Sequence, residues 1–109
     1  MTKPLVKICG ITNFADALFC ATAGADFLGF IFYKKSPRFI EPNKAREIIK
    51  KLPASVASVG VFVNESRVTI EKIIKEARIA IIQLSGDELP DDCTGFPVKV
   101  WKVFRMSSP

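Results

Sequence analysis

The sequence predicts an α/β protein built on a parallel sheet, and three observations carry that prediction. Short apolar runs alternate with amphipathic helical segments along the whole chain. The runs are apolar at consecutive positions, as strands covered on both faces must be. Each helical segment has one apolar stripe at i, i+3, i+4 and i+7, so helices lie outside and strands inside.

The elements follow in order. Leu5–Ile8 is the first strand, closed by Gly10, and Asn13 fits a helix N-cap with Asp16 in the first turn, where the helix dipole favours an anion. Phe14, Ala17, Leu18 and Ala21 give the first helix its stripe, and Gly24 ends it. Phe27–Phe32 is the second strand, followed by a loop over Tyr33–Ile40. Pro42 suits a first helical position, the stripe continues at Ala45, Ile48, Ile49 and Leu52, and Pro53 stops it. Val56–Val63 is the third strand, Ile70, Ile73, Ile74 and Ala77 mark the third helix, and Ile79–Leu84 is the fourth strand. Between Gly86 and Val98, Pro90, Gly95 and Pro97 leave room for only one or two helical turns before a fifth strand at Val98–Met106. Four β-α units plus one strand result, in one domain spanning residues 1–109 with no linker or low-complexity tract. Right-handed crossovers fit either a doubly wound sheet or a section of a barrel, and periodicity does not choose between them.

Composition narrows the function. With 49% apolar residues and a mean hydropathy of +0.24, the chain has material for a core and is not disordered. Charged residues interrupt every apolar run, so no membrane span is expected. Met1–Leu5 has no signal-peptide character, so the expected address is the cytoplasm. Cys9, Cys20 and Cys93 form no CxxC pair and there is no histidine, which argues against zinc and for reduced thiols. The net charge of +5 invites a nucleic-acid partner, but Glu71, Lys72, Lys75 and Glu76 show the charges interleaving along helix faces. No nucleic acid is therefore expected, and the positive bias suits a small anionic substrate.

Four motifs, in order and suitably spaced, carry a resemblance to a known family. Lys7-Ile8-Cys9-Gly10-Ile11-Thr12 opens the series, and Gly24-Ala25-Asp26 leads into Gly29-Phe30-Ile31-Phe32-Tyr33 and Ser36-Pro37-Arg38-Phe39-Ile40. Val59-Gly60-Val61-Phe62-Val63-Asn64 and Gln83-Leu84-Ser85-Gly86-Asp87-Glu88 complete it. Over residues 5 to about 105 the sequence resembles the phosphoribosylanthranilate isomerases. That resemblance implies a (β/α)8 barrel, the TIM fold, which needs about 200–250 residues. The expected architecture is therefore the N-terminal half-barrel of such an enzyme.

The resemblance also implies an activity. It is the Amadori rearrangement of N-(5′-phosphoribosyl)anthranilate to 1-(2-carboxyphenylamino)-1-deoxyribulose 5-phosphate, a step of tryptophan biosynthesis that needs no metal or organic cofactor. Cys9 matches the family's general base. It closes the first strand, on the face where barrels place their chemistry, and the N-terminus of the helix beginning near Asn13 favours a thiolate. Cys20 and Cys93 are read as small buried residues. Arg38 matches the arginine that holds the anthranilate carboxylate, for which a guanidinium fork is suited.

Lys7 is expected on the face opposite Cys9, in a packing or rim role, and Asn64 is expected to cap the third helix. Ser85 stands where the family usually has histidine, and with no histidine to activate it a hydrolase reading fails. Arg105 is left without a role. The family's general acid, an aspartate on its sixth strand, and its phosphate cradle after strands seven and eight have no counterpart in these residues. Two readings follow. In one, the chain is an isomerase half that is inactive alone, its missing half supplied by another polypeptide, such as a C-terminal half-barrel, or by a longer parent chain. In the other it is a catalytically silent half-barrel, at most a self-associating module such as a homodimer.

Overall fold

Five parallel strands stand side by side in chain order in the computed structural model, which describes residues 4–103. The elements are β1 (Lys7–Cys9), α1 (Phe14–Thr22), β2 (Phe27–Ile31), α2 (Pro42–Ile49), β3 (Ala57–Phe62), α3 (Arg67–Ala77), β4 (Ile81–Leu84) and β5 (Lys99–Lys102). The β4–β5 crossover holds only a 3-10 turn at Pro90–Cys93, as its prolines foretell. Sequential parallel order without a reversal is the order of a barrel wall, whereas a doubly wound sheet reverses at its switch point. Among the described residues the sheet is not closed: β1 pairs only with β2, and β5 only with β4.

The two faces of the sheet differ. Leu28, Phe30, Phe62, Ile82 and Leu84 point to the helices and join Ala17, Ala45, Ile48, Ile70, Ile74 and Ala77 in one apolar cluster. The other parity forms the concave, barrel-facing side, where Cys9, Gly29, Val59 and Ile81 share one row of the register. Two contacts bridge that hollow. Lys7 Nζ donates to Gln83 Oε1, and the Phe27 and Trp101 rings meet edge to face with centroids 5.0 Å apart.

Local chemistry explains most boundaries. Asn13 caps α1 by accepting from Asp16 N at 2.9 Å, and Pro42 opens α2. The first strand lies further along than expected, because pairing with β2 begins at Lys7 and continues to Cys9, while Val6 accepts from Asp26 N and Phe27 N and donates its N–H to Asp26 Oδ2. Residues 104–106 of the expected fifth strand, with Arg105, lie outside the described residues.

Asn64 does not cap α3. Ser66 does, accepting from Thr69 N, while Asn64 adopts a left-handed φ of 50° and its side chain accepts from Asp87 N at 2.7 Å. That bond ties the loops after β3 and β4. Glu88 adds to the tie: its carboxylate accepts from Asn64 N and Gly86 N and pairs with Lys102 Nζ at 2.7 Å. Burial alone would raise the Glu88 pKa, but the Lys102 hydrogen bond and the backbone donors outweigh it and hold it below the usual glutamate range. A carboxylate depressed in the fold contributes stability that is present above the unfolded pKa and lost as pH falls through the folded one. Urea midpoints should therefore fall as pH drops below about 4.3, the ordinary glutamate value. Glu88→Gln should flatten that decline and cost about 1.5–3 kcal/mol at neutral pH, the range for hydrogen bonds to charged groups. Equal acid sensitivity in both proteins would refute the assignment.

Candidate active site

Cys9 is the last residue of β1, and two glycines shape the space around it. A Cβ on Gly29, its neighbour in the register, would lie 2.9 Å from Cys9 Sγ, so glycine there leaves room for the thiol. Gly10 follows with a φ of +93°, and a Cβ there would lie 2.5 Å from Arg38 Cδ and 2.9 Å from one guanidinium nitrogen. The Arg38 side chain therefore lies across Gly10, against the residue next to the thiol. The loop after β2 brings it there: Arg38 N donates to Ser36 Oγ at 3.2 Å, and Ile40 N returns to Ile31 O at 3.0 Å.

Cys9 and Arg38 thus meet, as the motifs suggest, at the C-terminal ends of β1 and β2. Both are exposed, and both line a cavity of about 310 Å³ that also touches Thr12, Asp16 and Cys20. Among the described residues no carboxylate pairs with the Arg38 guanidinium, since Asp16 is engaged with Asn13. An exposed thiol beside an unpaired planar cation is an arrangement suited to a carboxylate ligand with an acidic C–H nearby. Among the described residues no group of three or more His, Cys, Asp or Glu could hold a metal ion, and no helix is long and apolar enough to cross a membrane.

Gly10→Ala puts this geometry to a test. A side chain at φ +93° is strained and must displace Arg38, so the variant should lose about 1–3 kcal/mol of stability. Its thiol should also change reactivity toward iodoacetamide. An unchanged denaturation midpoint and unchanged labelling would mean that Arg38 does not pack over this glycine.

Lys7 corrects an expectation. Residues two apart share a face of a strand, so Lys7 lies on the Cys9 side, where it reaches Gln83 across the hollow. Sequence reading missed Gln83 as a polar group on this face, although its place two residues before Ser85 is a usable signal. Ser85 extends the pairing one residue beyond β4, with its N–H donating to Phe62 O at 2.9 Å, and its hydroxyl accepts from Gln83 Nε2 at 3.1 Å.

Known proteins resemble this chain closely over nearly its whole length. The family model for N-(5′-phosphoribosyl)anthranilate isomerase matches residues 6–108. A relative of that name from Trichlorobacter lovleyi is 50% identical over 103 residues, which cover 94% of this chain and 50% of the relative. The crystal structure of phosphoribosyl anthranilate isomerase from Thermotoga maritima superposes with a TM-score of 0.90 at 44% identity, covering 92% of this chain and 50% of that one. A second crystal structure of a phosphoribosyl anthranilate isomerase, in complex with reduced 1-(o-carboxyphenylamino)-1-deoxyribulose 5-phosphate, gives a TM-score of 0.82 at 47% identity, covering 84% and 47%. The chain spans about half the length of the relatives it matches.

Proposed function

Since the chain belongs to the phosphoribosylanthranilate isomerase family, we propose that it carries the base and the carboxylate anchor of that isomerase's site. The general acid and the phosphate-binding groups come from a C-terminal half-barrel. The observation that carries this reading is the meeting of Cys9 and Arg38 in one cavity at the C-terminal ends of β1 and β2.

In the reaction, the acid protonates the furanose ring oxygen, and the ring opens to a Schiff base at C1′. The Cys9 thiolate removes the C2′ proton, the electron pair moves to the iminium, and an enol amine forms. Tautomerisation to the ketone completes the isomerisation, with no net gain or loss of atoms. Arg38 grips the anthranilate carboxylate in two parallel hydrogen bonds and fixes the substrate relative to the thiol.

Turnover of phosphoribosylanthranilate by the purified chain, alone and mixed with a C-terminal half-barrel from a relative, tests this. Activity in the mixture alone supports the proposal. No activity in either, with the halves shown to associate, leaves a catalytically silent half-barrel as the reading.

The open edges add an expectation about partners. β1 has one neighbour, and Leu5, Ile8, Leu18 and Phe19 are exposed along it and along α1. A strand with one free edge beside an apolar patch favours association. At micromolar concentration the chain should dimerise or pair with a C-terminal half in sedimentation experiments. A monodisperse, cooperatively melting monomer would contradict this.

A further inference from the structure

Three side chains form a hydrogen-bonded line across the concave face. Lys7 Nζ donates to Gln83 Oε1, and Gln83 Nε2 donates to Ser85 Oγ at 3.1 Å. A lysine ammonium has donors and no acceptor, so the Gln83 atom facing it must be the carboxamide oxygen. That fixes the amide and turns its NH2 toward Ser85. The Ser85 oxygen is the acceptor of this bond, so its own proton points elsewhere. Among the described residues the hydroxyl donates to no other group.

The register places Ser85 itself. Cys9 shares a row with Ile81; Lys7 lies two residues before that row and Gln83 two residues after it. Their contact shows how far the sheet staggers between β1 and β4 across the hollow. Advancing two residues on both strands keeps the same face and the same stagger. Cys9 and Ser85 therefore oppose one another one layer nearer the C-terminal ends, about 7 Å along at roughly 3.3 Å per residue.

We propose that Ser85 is a further ligand-contacting residue. It donates a hydrogen bond to an acceptor oxygen on the sugar portion of the substrate, held between it and Cys9. Lys7 and Gln83 are its positioning residues. The ammonium polarises the carboxamide, and the carboxamide N–H occupies one lone pair of the Ser85 oxygen, leaving its O–H free to donate. An oxygen acceptor on the ligand is the partner that this free O–H suits. This inference rests on the isomerase reading and extends it to a position where the family's histidine is absent.

The test is binding of reduced 1-(o-carboxyphenylamino)-1-deoxyribulose 5-phosphate by the 15N-labelled chain assembled with a C-terminal half, followed by NMR. Ser85→Ala should weaken binding about tenfold, as for a lost hydrogen bond, and Ser85→Thr should restore it. Lys7→Met should weaken binding by a similar factor yet add little to Ser85→Ala, because both break one line. The Gln83 side-chain amide signals should move in Ser85→Ala and Lys7→Met and stay in place in Arg38→Ala, a response that general loosening of the fold would not give. If Lys7→Met does not fold, Ser85→Ala and Ser85→Thr decide. Unchanged affinity in Ser85→Ala, or Gln83 signals indifferent to it, overturns the inference while leaving the isomerase reading intact. Failure of the unsubstituted assembly to bind overturns both.

Discussion

Cys9→Ala is expected to lower turnover of phosphoribosylanthranilate by the assembled halves by about 10²–10⁴-fold, the usual loss when a general base is removed. The size follows from the site. Cys9 is exposed at the end of β1, Gly29 leaves its sulfur room, and Arg38 lies across the adjacent Gly10. Alanine fits that space, so folding and carboxylate binding should persist while proton removal fails. The loss should therefore fall on kcat with KM nearly unchanged. Arg38→Ala should do the reverse and act mainly through KM, because its cation is assigned to holding the carboxylate. Equal turnover in Cys9→Ala and the unsubstituted chain would remove the thiol from the chemistry.

Phe30→Ala is the substitution expected to cost most in stability, about 3–5 kcal/mol. Phe30 is fully buried on the helix-facing side of β2, where α1, α2 and α3 contribute to one cluster. Removing the ring forfeits its transfer energy and leaves a cavity that rigid neighbours cannot collapse into. Domains of this size have about 5–15 kcal/mol in all, so the variant should lose roughly a fifth of its stability or more. Phe19→Ala is the matching control. That ring is 75% exposed on α1, and its loss should change stability by no more than about 0.5 kcal/mol while reducing self-association. Denaturant midpoints at one protein concentration measure both. Similar shifts in the two variants would mean that the helix-facing layer is not the chain's dominant core.

Most of the fold was legible because its signals are local. Asn13, Pro42 and the i, i+3, i+4, i+7 stripes announce their helices in sequence, and the strands β2 and β3, buried through their middles, read as largely apolar runs. That Cys9 and Arg38 share one rim was legible from the ends of their strands, whereas their proposed roles rest on the motifs. What escaped depends on contacts between distant residues. Asn64 reads locally as a helix cap, yet its backbone turns left-handed to meet Asp87 and Glu88 of the next loop, and Ser66 takes the capping role. Lys7 and Gln83 are 76 positions apart and meet only because the sheet curves. Composition also says nothing of the Glu88–Lys102 pair, whose side chains are 6% and 15% exposed on the outer side of the sheet.

The most direct test of the assigned site is ligand protection of its thiol. The assembled halves would be treated with iodoacetamide, with and without reduced 1-(o-carboxyphenylamino)-1-deoxyribulose 5-phosphate, and labelling of each cysteine followed by peptide mass spectrometry. Cys93, outside the cavity that Cys9 and Arg38 line, serves as the reference within the same molecule. The ligand should slow alkylation of Cys9 and leave Cys93 unchanged, and Arg38→Ala should abolish the protection. Bound ligand with Cys9 labelled at its free rate would contradict the site.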